Sequence, residues 1–524
     1  MIPHAEFVLR RRNDELQAII VVESPAIALH SIVEVRLRMH ALFQTSTDGL
    51  KRRAQRASVL NLTARGIDFF FQFFSLMLLA RLLTPADYGV FAMVTPFVWL
   101  LVTMGDLGLA SAVLQQPDLN ERQASAIFQV NALAGLALAG LLLACSPLLG
   151  FFYGDPRVTE IAAILSLVLV FSGFTAVQQA LLRRALHFDV LLRAQIASSA
   201  VSSAVAIVLA WNDAGYWALV ARALIDPLVY SSVAWVSAAW WPRHADWGEA
   251  TKTLLRFGRY YLGSSIIYSL ARQADNILIG WRYGSAELGP YALAYRLFFL
   301  PVQQITWPLG HVVVPTLSRL REDPERLKRW YLKLLRLVTL AAFPPFFSLM
   351  ICADDVVNVV AGPQWSAAAD ILKILAPVGA LQAAYSTCDW LLRSRGLADR
   401  SFWWTVISTS ACLLGYVIGL PWGAIGVASG LAAANLMFFL PAFFYATKGT
   451  SIRLIDAVKA MLPCFVVTIV AVAAVWALRI DIATGWHPLV RLLSTGAVIA
   501  VIMACGWLLL YRPSGWRTLL TAGT

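Results

Sequence analysis

The sequence predicts an all-α integral membrane protein of about fourteen transmembrane helices. Three observations lead there. Apolar residues make up 59% of the chain and charged residues only 14%, where a soluble protein carries about 25% charged. Apolar runs of about 20 residues, enough to cross a bilayer as a helix, recur from end to end. The strict alternation of barrel strands is absent, which leaves helices as the way to satisfy every backbone polar group in lipid.

Hydropathy and flanking charge put the spans near 57–80, 86–114, 124–149, 158–182, 192–211, 215–241, 256–281, 287–316, 331–352, 367–392, 401–420, 424–446, 457–478 and 487–511. Thr84-Pro85, Gly154-Asp155-Pro156, Gly284-Ser285 and Gly362-Pro363 punctuate the short connections. Residues 1–56 differ from the rest. They are polar, with basic clusters at Arg10–Arg12 and Lys51–Arg53, and Ile19–Val22 is too short for a signal-peptide core. The expectation there is a poorly ordered cytoplasmic leader or a start mis-assigned upstream of Met39. A membrane-surface helix would need an amphipathic pattern that is not found.

The net charge of +12 does not point to nucleic acid, because the cations sit between spans. One set of connections holds Arg183, Arg184, Arg193, Arg243, Lys252, Arg256, Arg259, Arg319, Arg321, Arg326, Lys328, Arg329, Lys333, Arg393, Arg395, Arg400, Lys448, Arg453, Arg512 and Arg517. The alternate set holds little beyond Arg81, Arg157, Arg282 and Arg479. By the positive-inside bias both termini are expected in the cytoplasm.

A short motif repeats. Arg81-Leu-Leu-Thr-Pro-Ala-Asp-Tyr-Gly-Val-Phe-Ala92 matches Arg282-Tyr-Gly-Ser-Ala-Glu-Leu-Gly-Pro-Tyr-Ala292 in its Arg, Ala, acid, Gly, aromatic and Ala. Six predicted spans separate the copies, so both keep one orientation, as in a parallel repeat about the membrane normal. The expected architecture is two pseudo-symmetric six-helix lobes, 57–246 and 247–450, with 451–524 adding two helices and a tail.

Charge inside the spans marks the candidate site. The stretch Tyr260–Leu300 carries Arg272, Asp275, Asn276, Arg282 and Arg296. A charge at the centre of a spanning helix costs about 2.5–3.5 kcal/mol on insertion scales, so it is expected to pair, face the bundle interior or line a wet path. Arg65/Asp68, Arg222/Asp226 and Arg272/Asp275 are spaced three or four apart, on one helix face. Such spacing fits local neutralisation, the plainer account for Arg222/Asp226 before Pro227, and it also fits the wall of a polar cavity. Arg296 has no acid nearby on its own helix; it either snorkels to an interface or faces the cavity. Asp106, Asn131, Gln178, Gln179, Lys373, Gln382, Asp389 and Asn435 are expected mainly as interhelical hydrogen-bond partners. Trp211, Trp217, Trp240, Trp241 and Trp422 are expected as interface anchors.

No P-loop and no H-E-x-x-H motif is present, and six scattered cysteines and seven dispersed histidines form no ligand set. No cofactor is expected. A carrier fits better than an enzyme, since no long extracytoplasmic loop is expected to house chemistry.

The segments Arg81–Ala92, Asp106-Leu-Gly-Leu-Ala-Ser-Ala-Val113, Ala274-Asp-Asn-Ile-Leu-Ile-Gly280 and Tyr291-Ala-Leu-Ala-Tyr-Arg-Leu297 resemble the polysaccharide transporter, or Wzx-type flippase, family of the multidrug/oligosaccharidyl-lipid/polysaccharide exporter superfamily. The similarity runs over roughly residues 58–511. It implies transfer of an undecaprenyl-pyrophosphate-linked oligosaccharide from the cytoplasmic to the periplasmic leaflet of the bacterial inner membrane, by two lobes rocking about a cationic cavity. The glycan would serve exopolysaccharide, capsule or O-antigen synthesis, alongside a polymerase and glycosyltransferases. On that footing Arg65, Arg272, Arg296 and Asn276 would meet the headgroup, because the guanidinium fork matches phosphate oxygens. Asp68 and Asp275 would hold the cations when the cavity is empty, or respond to H⁺ or Na⁺. The alternatives are a cation-coupled drug or metabolite antiporter of the same superfamily, and a membrane polymerase or ligase.

Overall fold

The computed structural model describes residues 6–12, 15–21, 50–105, 113, 119–185, 187–243, 272–477 and 487–510, with the side chains of 50–65 and a few others excepted. Near the N terminus β1 (Glu6–Arg12) and β2 (Glu15–Val21) pair antiparallel. The membrane body is helical: α1 (Leu50–Leu82), α2 (Pro85–Gly105), α3 (Glu121–Tyr153), α4 (Pro156–Arg184), α5 (Phe188–Trp211), α6 (Trp217–Ala238), α7 (Ala274–Tyr283), α8 (Ser285–Arg319), α9 (Pro324–Val360), α10 (Ser366–Ser394), α11 (Ala398–Gly419), α12 (Gly423–Thr447), α13 (Leu454–Ala477) and α14 (Pro488–Leu510). Each overlaps one predicted span, and the seventh of those, 256–281, lies outside the described residues up to residue 271. Among the described residues ten stretches are long and apolar enough to cross a membrane, and one of them, Ala398–Thr447, holds both α11 and α12.

The punctuators act through their backbone chemistry. Gly154 closes α3 in the left-handed region at φ 67°, Asp155 caps α4 by accepting from the Arg157 amide at 3.0 Å, and Pro156 opens the helix. Thr84 and Asp87 cap α2 reciprocally: the Thr84 amide donates to Asp87 at 3.0 Å and the Asp87 amide to Thr84 Oγ1 at 3.2 Å. Asp323 caps α9 ahead of Pro324 by accepting from the Arg326 amide at 3.0 Å.

Packing repeats six helices on. In the first half α3 packs on α4, α5 on α6, and α4 on both α2 and α6; in the second, α9 packs on α10, α11 on α12, and α10 on both α8 and α12. The halves meet chiefly where α2 packs along α8. The last two helices lean on the second half, α13 and α14 both against α9. A buried ion pair helps fix α14 there, Arg491 to Asp355 at 2.8 Å. A continuous core runs from Leu76 through Met93, Phe298 and Phe343 to Met461, while Phe151, Val236, Trp422 and Met437 stand exposed on the outside.

Several polar and aromatic side chains depart from expectation. Trp211, Trp241 and Trp422 are exposed, as anchors would be, but Trp240 is fully buried and meets Phe128 edge-on. Gln179 does reach across to Tyr230 at 2.7 Å. Asn131 and Gln178 do not; both are fully buried and neither side chain has a hydrogen-bond partner among the described residues. Lys373 on α10 reaches Asp354 on α9 as well as Asp370, each at 2.9 Å, in a partly exposed interhelical group. Asp389 holds Arg393 and Ser401, and Asn435 turns back to the Leu431 carbonyl.

Candidate functional site: a polar seam between the halves

The seam is built on the repeated motif. Gly89 on α2 lies so close to α8 that an added Cβ would stand 1.8 Å from the Ser285 carbonyl oxygen. Gly289 on α8 returns the contact, its Cβ 1.8 Å from the Pro85 carbonyl oxygen. Pro85 and Ser285 occupy equivalent positions in the two motif copies, so the crossing is reciprocal. Only glycine permits this approach of backbone to backbone. More contacts close the same end. Arg81 donates to the Val359 carbonyl, Trp365 Nε1 donates to the Ala80 carbonyl at 2.7 Å, and Tyr88 meets the Trp365 ring edge-on at 5.1 Å. Glu287, the acid of the second copy, accepts from the Ala424 amide at the start of α12 at 3.4 Å.

Below this crossing the charges gather. Arg296 lies eleven residues into α8, about 16 Å along the helix from its start. It is half-buried, with the Tyr88 hydroxyl within electrostatic range. Arg222, from α6 in the first half, is within range of Arg296, Tyr88, Asp226 and Asp68. Among the described residues Arg222 and Asp226 form no direct ion pair, although they stand one turn apart. Asp226 instead takes hydrogen bonds from Ser198 and Ser202 on α5.

Two carboxylate nodes stand on equivalent helices, six apart, and of these Asp68 lies within electrostatic range of Arg222. Asp68 on α1 accepts from Ser199 Oγ at 2.6 Å, Gln72 Nε2 at 2.9 Å and Gln195 Nε2 at 3.3 Å, which ties α1 to α5. Asp275 on α7 is fully buried; Tyr291 donates to Oδ2 at 2.7 Å and the Asn276 amide to Oδ1 at 2.8 Å. A buried carboxylate is tolerable only when its oxygens are so occupied. Arg272 lies within electrostatic range of Asp275 and over the Phe299 ring, 4.7 Å from its centroid. Asn276 donates to Gln273 at 3.1 Å, and its Oδ1 is buried without a partner among the described residues. Arg65 is on α1 with its side chain outside the described residues, where Asp106 and most of its motif also lie.

Sequence reasoning assigned no role to Tyr88, Tyr291, or the Ser198–Ser199–Ser202 face of α5. A dense serine run in a spanning helix facing an intramembrane acid was the available signal.

The family model described as "polysaccharide biosynthesis protein" matches residues 78–370, more than half of the chain. The chain belongs to this family. The teichuronic acid biosynthesis protein TuaB of Bacillus subtilis is 28% identical over 57% of the chain, and the match spans 62% of that relative. The lipopolysaccharide biosynthesis protein WzxC of Escherichia coli is 25% identical over 72% of the chain and 77% of its own length. The succinoglycan biosynthesis transport protein ExoT of Rhizobium meliloti is 27% identical, over 68% and 71% respectively. Among solved structures, the inward closed conformation of the lipid II flippase MurJ superposes with a TM-score of 0.68 at 15% identity, covering 87% of the chain and 99% of MurJ. An inward-facing multidrug transporter of the MOP superfamily gives 0.60, covering 75% and 96%. The fold is that of the MOP transporters, and the family member described here is a multi-pass membrane protein.

Proposed function

We propose that this protein carries a lipid-linked oligosaccharide, joined to its polyprenyl anchor through pyrophosphate, across the bacterial cytoplasmic membrane. The observation that carries the reading is that Arg222 on α6 of one half and Arg296 on α8 of the other lie within electrostatic range of each other and of Tyr88, beside the α2–α8 crossing. Two cations held near each other inside a membrane are costly unless an anion joins them, and a pyrophosphate is a dianion whose oxygens suit two guanidinium forks. An acid-lined cavity would instead suit a drug-cation antiporter, and here the acids are occupied by hydroxyls and amides. The two six-helix units act as rocking lobes, closed against each other at the Gly89–Gly289 crossing. That end faces the periplasm if both termini are cytoplasmic, as the loop charges require. Asp68 and Asp226, gathered by the serines of α5, are where a coupling H⁺ or Na⁺ would act. The protein works as a carrier, with no covalent chemistry of its own.

The test is a deletion strain. Lipid-linked repeat units should accumulate on the cytoplasmic leaflet, with the glycan identified by mass spectrometry. Complementation by wild-type protein and not by Arg296→Gln should follow. Export restored fully by Arg296→Gln, or no accumulation in the deletion strain, overturns the reading.

A further inference from the structure

The connections after α8, α10 and α12 converge at one end of the second half, away from the seam. They enclose a cavity of about 200 Å³ lined by Arg321, Leu327, Arg395, Leu397 and the Gly449–Ser451 turn. Arg395 is fixed in place: Nη1 donates to the Lys448 carbonyl at 3.2 Å and Nη2 to the Gly449 carbonyl at 2.8 Å. Arg400 donates to the same Lys448 carbonyl at 3.4 Å. Arg321 lies against the Gly396 turn, and its guanidinium makes no hydrogen bond or ion pair among the described residues.

The nearby acids are committed elsewhere. Asp323 caps α9 and pairs with Arg326 at 3.1 Å, Asp456 holds Lys328 at 2.7 Å, and Asp389 holds Arg393 at 2.9 Å. Glu322, Glu325 and Asp399 point to solvent and do not line the cavity. Two guanidinium groups, those of Arg321 and Arg395, therefore line one small space with no carboxylate between them, and Arg400 stands within electrostatic range of Arg395. Burial first, and then the charges of Arg400 and Arg321, push Arg395 below its ordinary value.

We propose that this cavity binds the phosphate of an anionic membrane phospholipid. Its level fits: Arg319 ends α8, Pro324 starts α9, Ser394 ends α10 and Thr447 ends α12, so it lies within a turn of four helix ends, at headgroup depth. Basic pockets at that depth suit anionic headgroups. Its walls fit as well. Leu327, Leu397 and Pro324 offer an apolar side for the glycerol and the acyl stems, which a free anion would not use. All lining residues come from residues 321–451 and none from α1–α6, so a lipid seated here need not move when the halves do.

Purified protein in phosphatidylcholine nanodiscs, with or without phosphatidylglycerol, would be released and weighed by native mass spectrometry. Wild type should retain phosphatidylglycerol and not phosphatidylcholine. Arg321→Gln with Arg400→Gln should weaken retention roughly 30-fold, at about 1 kcal/mol for each cation removed. Arg326→Gln, whose cation is already paired with Asp323, should behave as wild type. Arg321→Gln alone should give part of the loss, and because its side chain holds nothing it keeps the test open should the double variant fail to fold. Equal retention by wild type and both Arg321 variants overturns the proposal. So does equal retention of phosphatidylcholine, or inorganic phosphate displacing phosphatidylglycerol at equal concentration, which would make this a site for a free anion.

Discussion

Replacing Gly89 by alanine puts a methyl carbon 1.8 Å from the Ser285 carbonyl oxygen. The obstacle is backbone, so no side chain can swing aside. To reach 3.0 Å, below which real Cβ contacts are essentially unknown, α2 and α8 must part by 3.0 − 1.8, about 1.2 Å. Overpacking of this sort costs typically about 1–3 kcal/mol. Because the clash exists only while this end is closed, that cost falls on the closed state and shifts the balance between closed and parted forms roughly 5- to 160-fold. Spin labels at exposed Asn212 and Trp422, one on each half, report the change as a distance distribution. Wild type should give a dominant short distance, and Gly89→Ala and Gly289→Ala a growing longer one. The two glycines share one crossing, so the double variant should shift the balance by less than the sum of the singles. Gly140→Ala on α3, where a Cβ meets nothing within 4 Å, is the control and should be silent. Wild-type distances in both Gly89→Ala and Gly289→Ala would refute the crossing as the element that holds the halves together.

Other outcomes are expected from the same geometry. Arg296→Gln and Arg222→Gln should each cut export roughly 10- to 150-fold, the worth of a hydrogen-bonded charge, with membrane levels unchanged; Arg296→Lys should fall between, and normal polysaccharide output from both Gln variants would remove the pair from the site. Tyr291→Phe takes a donor from the buried Asp275 and should destabilise by about 1–3 kcal/mol, read as a lower melting midpoint in nanodiscs; an unmoved midpoint counts against the node. Asp155→Ala should cost about 1 kcal/mol as a lost cap, read by faster amide exchange at the start of α4. The Arg157 side chain beside Asp155 holds its carboxyl below the ordinary 3.8, so this contribution is complete above that value and is lost as pH falls through the lower folded-state value; protection at α4 that stays flat under acid would contradict it.

What was legible in the sequence follows from what lipid demands. Many span positions are set by a local requirement, a long apolar run ended by Gly, Pro or a capping Asp, and Gly154-Asp155-Pro156 could be read as punctuation without knowing what lay beside it. Gly89 and Gly289 could be seen to repeat, but the reason they are glycine is the helix each one crosses, 200 residues away in the chain. The Arg222/Asp226 spacing suggested a pair because both share a helix face. The serines of α5 compete for the same carboxylate, and a one-helix argument does not include them. Trp240 failed for a related reason: position near a span end suggested an anchor, but Phe128 offered a buried partner. Asn131 and Gln178 invite hydrogen bonds by type, while the neighbours that deny them come from other helices.

The reciprocal contact of Gly89 with Ser285 and of Gly289 with Pro85 is the kind that two copies of one chain make when they dock about a two-fold axis. Each half carries both faces of it, the indentation and the ridge. A six-helix ancestor could thus have paired with itself before duplication fused the copies, and the fusion then freed each copy to diverge. That freedom is already used: Arg296 sits on the second helix of one copy and Arg222 on the sixth of the other, an asymmetry no homodimer could hold.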